Sequence, residues 1–224
     1  MQMGGLMGGV YRVCEWIMRV AYINILWVLF TFIGLILFGF MPAAIAMFTI
    51  IRKWIMGETE IPVLKTFWAT FKQEFFKGNL FGLIILVVGS VLYIDLLYLT
   101  IVDGILNTVL LGLLFLAGIL YIIFLLYIIP VYVHYDLKFS QYIKYSLMIG
   151  ITNFKFTIFM IVGIVGIYFW LIRIPASLLF FGVSLTAFYI MWLADLSFKT
   201  IIDKKEKYEQ KQQEKVTTVE NTSL

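Results

Sequence analysis

Residues 20–56 read VAYINILWVLFTFIGLILFGFMPAAIAMFTIIRKWIM, and no charge interrupts them between Arg19 and Arg52. A helix rises about 1.5 Å per residue and a bilayer core is about 30 Å thick, so roughly 20 apolar residues cross it. The stretch therefore holds a span over Val20–Met41 followed by an ambiguous apolar segment, Pro42–Met56. Two folds compete. In one, the whole run is a single long helix kinked at Pro42. In the other, Gly39-Phe40-Met41-Pro42 is a turn, Pro42 opens a second helix where its missing N–H is unpaired anyway, and the two helices form a hairpin.

Further spans follow at Asn79–Ile101, interrupted by Asp95, and at Ile105–Val133, Phe156–Ile172 and Ala176–Ala194. Five spans and a short sixth over 42–56 make an all-α, polytopic membrane bundle. The composition agrees, since 62% of the 224 residues are hydrophobic and 13% charged, against roughly 45–50% and 25% in soluble domains. Such a balance excludes a soluble enzyme and a disordered chain. Cys14 as the only cysteine excludes a secreted disulfide scaffold.

Basic residues flanking spans stay cytoplasmic, and their placement favours the hairpin. Arg12 and Arg19 precede the first span; Arg52, Lys53, Lys65, Lys72 and Lys77 precede Asn79. Lys138, Lys144 and Lys155 precede Phe156, and six lysines from Lys199 onward fill the tail. With six helices and both termini cytoplasmic, all 17 basic residues except Arg173 lie on one side. A five-span chain with an outer N-terminus exports Arg12 and Arg19. Ala44-Ile45-Ala46 mimics a signal-peptide cleavage site, but the preceding apolar run is too long and the chain stays apolar afterwards.

Between the spans, Leu64, Phe67, Trp68, Phe71 and Phe75 recur at helical spacing while Lys65, Lys72 and Lys77 take other faces. A helix with aromatic and basic faces suits the headgroup boundary. Phe67, Trp68, Phe71 and Phe75 are thus expected to contact lipid or to dock a partner from an in-plane elbow helix. Residues 134–155 repeat the style. Residues 1–202 read as one transmembrane domain. The Lys- and Gln-rich segment 203–224 buries too little to fold alone and reads as a disordered cytoplasmic tail.

Asp95 is the most unusual residue, because an ionisable group within a span costs about 2.5–3.5 kcal/mol on insertion scales. Arg173 is the one basic residue assigned to the same side, so an Asp95–Arg173 pair accounts for both, as structural glue or as part of a solute path. Tyr93, Tyr98 and Asn107 are placed to join it. Asp195 and Lys199, like Glu15 and Arg19, stand four apart and are expected to pair. Asn24 is expected to bond a neighbouring helix, and His134 to anchor its span at the interface. One histidine without partners makes no metal site. The sequence has no phosphate-binding Gly-rich loop, no Gly-x-Ser-x-Gly and no His-Glu-x-x-His. The reading is of a non-enzyme with no cofactor, no metal and no nucleic-acid groove.

The series Tyr11-Arg12-x-x-Glu15-Trp16-x-x-Arg19, Asn24-Ile25-Leu26-Trp27, Gly39-Phe40-Met41-Pro42-Ala43-Ala44, Arg52-Lys53-Trp54, Gly57-Glu58 and Phe67-Trp68-x-x-Phe71 resembles the YesL family, domain of unknown function 624. The resemblance is strongest over 10–82, and Met41-Pro42 replaces the Gly-Pro of many relatives. It implies a bacterial cytoplasmic-membrane protein associated with carbohydrate utilisation, alongside an ABC-type sugar importer, and assigns no catalytic residue. Two functions are carried forward: an accessory component contacting importer subunits, and a self-contained small-solute transporter using Asp95.

Overall fold

A computed structural model describes residues 5–99 and 104–222. These residues form eight helices: α1 (Gly5–Ile33), α2 (Leu37–Ile55), α3 (Val63–Gln73), α4 (Phe75–Leu99), α5 (Ile105–His134), α6 (Phe139–Thr152), α7 (Phe154–Leu171) and α8 (Pro175–Thr222). Six of them, all but α3 and α6, are long and apolar enough to cross a membrane. The expected all-α polytopic bundle is therefore the fold. The C-terminal end of the span expected to reach Ile101 and the connection around Asp103 lie outside the described residues.

The hairpin reading of 20–56 holds, but its turn is not at Gly39–Pro42. The chain reverses at Gly34-Leu35-Ile36, where Leu35 and Ile36 adopt φ of 58° and 62°. Gly34 N–H donates to the Phe30 carbonyl at 3.0 Å and Ile36 N–H to the Thr31 carbonyl at 2.8 Å, closing the end of α1. Gly39 serves a different purpose. A Cβ on Gly34 would come within 2.3 Å of the Gly39 Cα, so two glycines let α1 and α2 touch backbone to backbone beside the turn. Pro42 lies in the second turn of α2, where its lack of an N–H removes one bond near the helix start.

The ambiguous segment is the centre of the molecule. Ala43, Ala46, Met47, Ile50 and Ile51 of α2 are fully or almost fully buried, and α2 packs against α1, α3, α4, α5 and α8. In its most apolar stretch 67% of residues are buried, against 6% in α4 and 11% in α5. Its small alanines are what a helix surrounded by other helices needs for close approach.

Around α2 the other elements dock through specific contacts. The sequence Gly78-x-x-x-Gly82 places two glycines of α4 on α2. A Cβ on Gly78 would meet Ile45 at 3.0 Å and the Pro42 backbone at 3.3 Å, and one on Gly82 would meet the Met41 Cγ at 2.7 Å. Tyr121 of α5 donates to the Ile85 carbonyl of α4 at 2.8 Å. Helix α6 returns along α5, where Gly150 leaves room for Ile123 and Tyr127. The buried Asn153, between α6 and α7, donates to the Ser197 hydroxyl of α8 at 2.9 Å. Asn24 of α1 bonds a neighbouring helix as expected: its amide donates to the Leu179 carbonyl at 2.7 Å and accepts from the Ser184 N–H at 3.0 Å.

The tail, expected to be disordered from Asp203, continues α8 as far as Thr222. Residues 202–213 are exposed throughout. Local i,i+4 contacts, Lys205–Glu209 at 3.7 Å and Gln212–Tyr208 at 2.9 Å, accompany the helix there.

Candidate functional site

Basic residues mark the ends of α2 and α5, and these ends converge on α8. Arg52, in the last turn of α2, donates through Nε to Nδ1 of His134, the last residue of α5, at 3.4 Å. Guanidinium has no acceptor, so this bond needs an unprotonated Nδ1 and puts the imidazole proton on Nε2. The His134 ring packs against Tyr135 and Phe198 with centroids 4.7 and 4.6 Å away. Asp195, one turn before Lys199 on α8, is buried, and Lys199 reaches it at 2.6 Å. That pairing matches the expectation from their spacing. Burial, and after it the Asp195 carboxylate, push the Tyr135 hydroxyl above its usual pKa.

A second clamp adjoins the first. Arg19 donates to Glu15 at 2.5 Å, again as the spacing predicted, and to the Thr59 carbonyl at 2.9 Å. Its guanidinium lies 5.7 Å from the Trp16 ring and 6.0 Å from the Trp54 ring. Arg19 thereby ties α1 to the loop after α2. Glu74, between α3 and α4, accepts from the Tyr132 hydroxyl of α5.

These groups hold helix ends in register. They comprise a guanidinium, a neutral imidazole, a carboxylate and an ammonium, joined across three helices with no serine or cysteine nucleophile among them. Among the described residues no group of three or more His, Cys, Asp or Glu side chains is placed to hold a metal ion. Cys14 is free and exposed.

The expected Asp95–Arg173 pair is not formed within the chain. Asp95 is exposed on α4 and lines an open cleft of about 380 Å³ with Leu92, Tyr98 and Leu99 of α4 and Leu110, Leu113, Leu114 and Ala117 of α5. Tyr93 is exposed beside it. Arg173 is exposed in the turn between α7 and α8, its guanidinium 5.0 Å from the Phe169 ring. Helix α5 stands between α4 and the α7–α8 pair, packing on all three. Sequence spacing carries no information on which helices become neighbours.

The aromatic stripe turns inward. Phe67 is 0% and Phe71 5% exposed, and both pack on Phe30 of α1 with centroids 4.9 and 5.1 Å away. Their contact is thus with the protein's own core, where burial of a large ring is worth most. Trp68 remains 42% exposed, with the Lys72 ammonium 4.8 Å from its ring. Phe75 is half-buried between Phe71 and the exposed Phe76. Leu64, Trp68 and Phe76 stay exposed on the outer side.

The Arg52–His134–Asp195 junction was not foreseen. Its sequence signal was weak: two residues that each end an apolar run at its basic side, 82 positions apart.

Comparison with known proteins places this geometry among proteins without an assigned activity. Residues 20–96 match a family model described as "Protein of unknown function, DUF624". Over 188 residues the chain is 40% identical to the uncharacterized protein YteU of Bacillus subtilis (strain 168), covering 84% of each chain. It is 33% identical to uncharacterized YesL of the same organism, over 89% of this chain and 94% of that protein. Identity to uncharacterized YesV, also from that organism, is 35% over 84% of this chain and 91% of the relative. No solved structure matches the chain.

Proposed function

Because the chain belongs to the YesL-like DUF624 family, we propose that it is a non-enzymatic accessory component of the bacterial cytoplasmic membrane, serving an ABC-type sugar importer. The observation that carries this reading is the α4–α5 hairpin. Its two helices have 25 and 30 residues, and only small fractions of their apolar stretches are covered by the rest of the protein. Leu83, Val87, Val91 and Ile94 of α4 and Val109, Leu113 and Leu116 of α5 are all exposed. Lipid satisfies such a surface, and so do the spans of a permease, through close packing rather than a hydrophobic drive. The association with carbohydrate utilisation comes from the family resemblance. Six crossings leave both termini on one side, and the basic flanks favour the cytoplasm.

The test is recovery of importer subunits. The tagged protein, carrying a photo-crosslinking residue at Val87 or Leu113, is isolated from membranes of sugar-grown cells. Crosslinks to permease subunits support the proposal; recovery of none sinks it.

A second reading follows from the Asp95 cleft, which offers a small solute one carboxylate and one phenol in apolar surroundings. As a carrier the protein moves solute in reconstituted vesicles, and Asp95→Asn abolishes the flux. Unchanged flux removes Asp95 from that role.

A further inference from the structure

Asp95 and Arg173 have no oppositely charged partner among the described residues. Among the described residues Asp95 makes neither an ion pair nor a hydrogen bond, although it stands on a span with Leu92, Ile94, Leu96 and Leu99 around it. Arg173, at the turn after α7, has a phenyl ring beside it and, among the described residues, no carboxylate within salt-bridge reach. Other described acidic residues on or beside the apolar helices do find partners: Glu15 has Arg19, Glu74 has Tyr132 and Asp195 has Lys199. Helices α4 and α7 each leave the basic side, so Asp95, one turn before the end of α4, and Arg173, just past the end of α7, belong to the opposite side together.

We propose that a second copy of this chain supplies the missing partners, Asp95 of each copy meeting Arg173 of the other across a two-fold axis. A two-fold interface is self-complementary, so one acidic and one basic site on different faces of the same chain give two equivalent bridges. The geometry within one chain favours this arrangement. Asp95 and Arg173 sit on different hairpins, both exposed, with α5 packed between α4 and the α7–α8 pair. An unpaired carboxylate within a span is costly, and such groups pair with one another or line wet cavities. Arginine suits the bridge because its fork binds a carboxylate through two parallel bonds and stays charged in apolar surroundings. The stacked Phe169 ring restricts the Arg173 side chain before it engages. The contact uses the end of the α4–α5 hairpin, leaving its exposed middle for the partner proposed above, and it stands whether or not that partner is an importer.

The experiment co-expresses two differently tagged full-length chains lacking Cys14, one carrying Asp95→Cys and the other Arg173→Cys. Mild oxidation in native membranes is expected to link the two tags, and neither chain to itself. Absence of the 95–173 link, or equal linking of 95 to 95, overturns the proposal. A second measurement guards against misfolded variants. In nanodiscs at increasing dilution, the wild type is expected to run as a dimer, and Asp95→Asn and Arg173→Gln each to weaken association by roughly tenfold or more, as when one member of a desolvated charge pair is removed. The swapped double variant, Asp95→Arg with Arg173→Asp, is expected to recover it. A monomeric wild type, or a swap no better than its single changes, shows that Arg173 serves lipid headgroups instead and refutes the two-fold bridge.

Discussion

Replacing Asn24 by Ala removes the buried amide that joins α1 to α8, and the size of the effect can be worked from its two bonds. The amide donates to the Leu179 carbonyl at 2.7 Å and accepts from the Ser184 N–H at 3.0 Å. Interhelical polar contacts in membranes average about 0.6 kcal/mol and reach about 1.7. Two of them therefore contribute about 1.2 kcal/mol, with an upper figure near 3. The change also alters helix propensity and side-chain volume, so a reference with the same chemistry is needed. Asn79→Ala provides it, since the Asn79 amide bonds only the Phe75 carbonyl one turn earlier on its own helix, at 2.7 Å. Equilibrium unfolding in mixed micelles, followed by tryptophan fluorescence, is expected to place Asn24→Ala about 1–3 kcal/mol below Asn79→Ala. Equal stability of the two variants would refute the α1–α8 bridge as a contributor to the fold.

Other expectations use the same assay. Phe67→Ala, which empties a fully buried site, is expected to cost about 3–5 kcal/mol, while Trp68→Ala on the same helix costs clearly less; similar losses would contradict the inward orientation of α3. Gly78→Val forces α4 away from the Pro42 backbone and is expected to cost about 1–3 kcal/mol, whereas Gly112→Ala, with nothing within 4 Å of the added Cβ, is neutral or stabilising. Leu35→Gly relieves a residue held at φ 58° and is expected to stabilise by about 1 kcal/mol; a loss of stability argues against the turn at Gly34–Ile36. Truncation after Ile202 removes a segment whose described side chains, through Gln213, are exposed, and is expected to leave the unfolding midpoint unchanged.

How much of the molecule could be read in advance depended on what each residue's environment was. The lipid-facing helices were legible because lipid imposes one requirement, a long apolar run, and α4, α5 and α7 meet it with little else. Helix α2 was ambiguous because its surroundings are protein, which selects small residues and tolerates Pro42. The turn was misplaced for a related reason. Gly34 and Gly39 are five residues apart in an apolar run, and nothing local distinguishes a glycine that reverses the chain from one that admits a neighbouring helix. Amphipathic spacing in α3 correctly gave a helix, but a stripe of phenylalanines fits a bilayer surface and the Phe30 pocket equally well. At the candidate site, pairs four residues apart, Glu15–Arg19 and Asp195–Lys199, were legible from helix geometry. Arg52–His134 was not.

By itself the sequence determined that the chain is a helical membrane protein, roughly where its apolar helices lie, where the basic flanks lie, and that Glu15–Arg19 and Asp195–Lys199 pair. These properties follow from rise per residue, hydrocarbon thickness and neighbouring positions on one helix, all of which are local. Only the tertiary structure decided that α2 is the hub, that Phe67 and Phe71 face inward, that Arg52 and His134 meet beside Asp195, and that Asp95 and Arg173 do not meet within the chain. Each of these depends on which helices become neighbours, and interhelical packing is fixed by contacts between residues far apart in sequence that no local periodicity encodes.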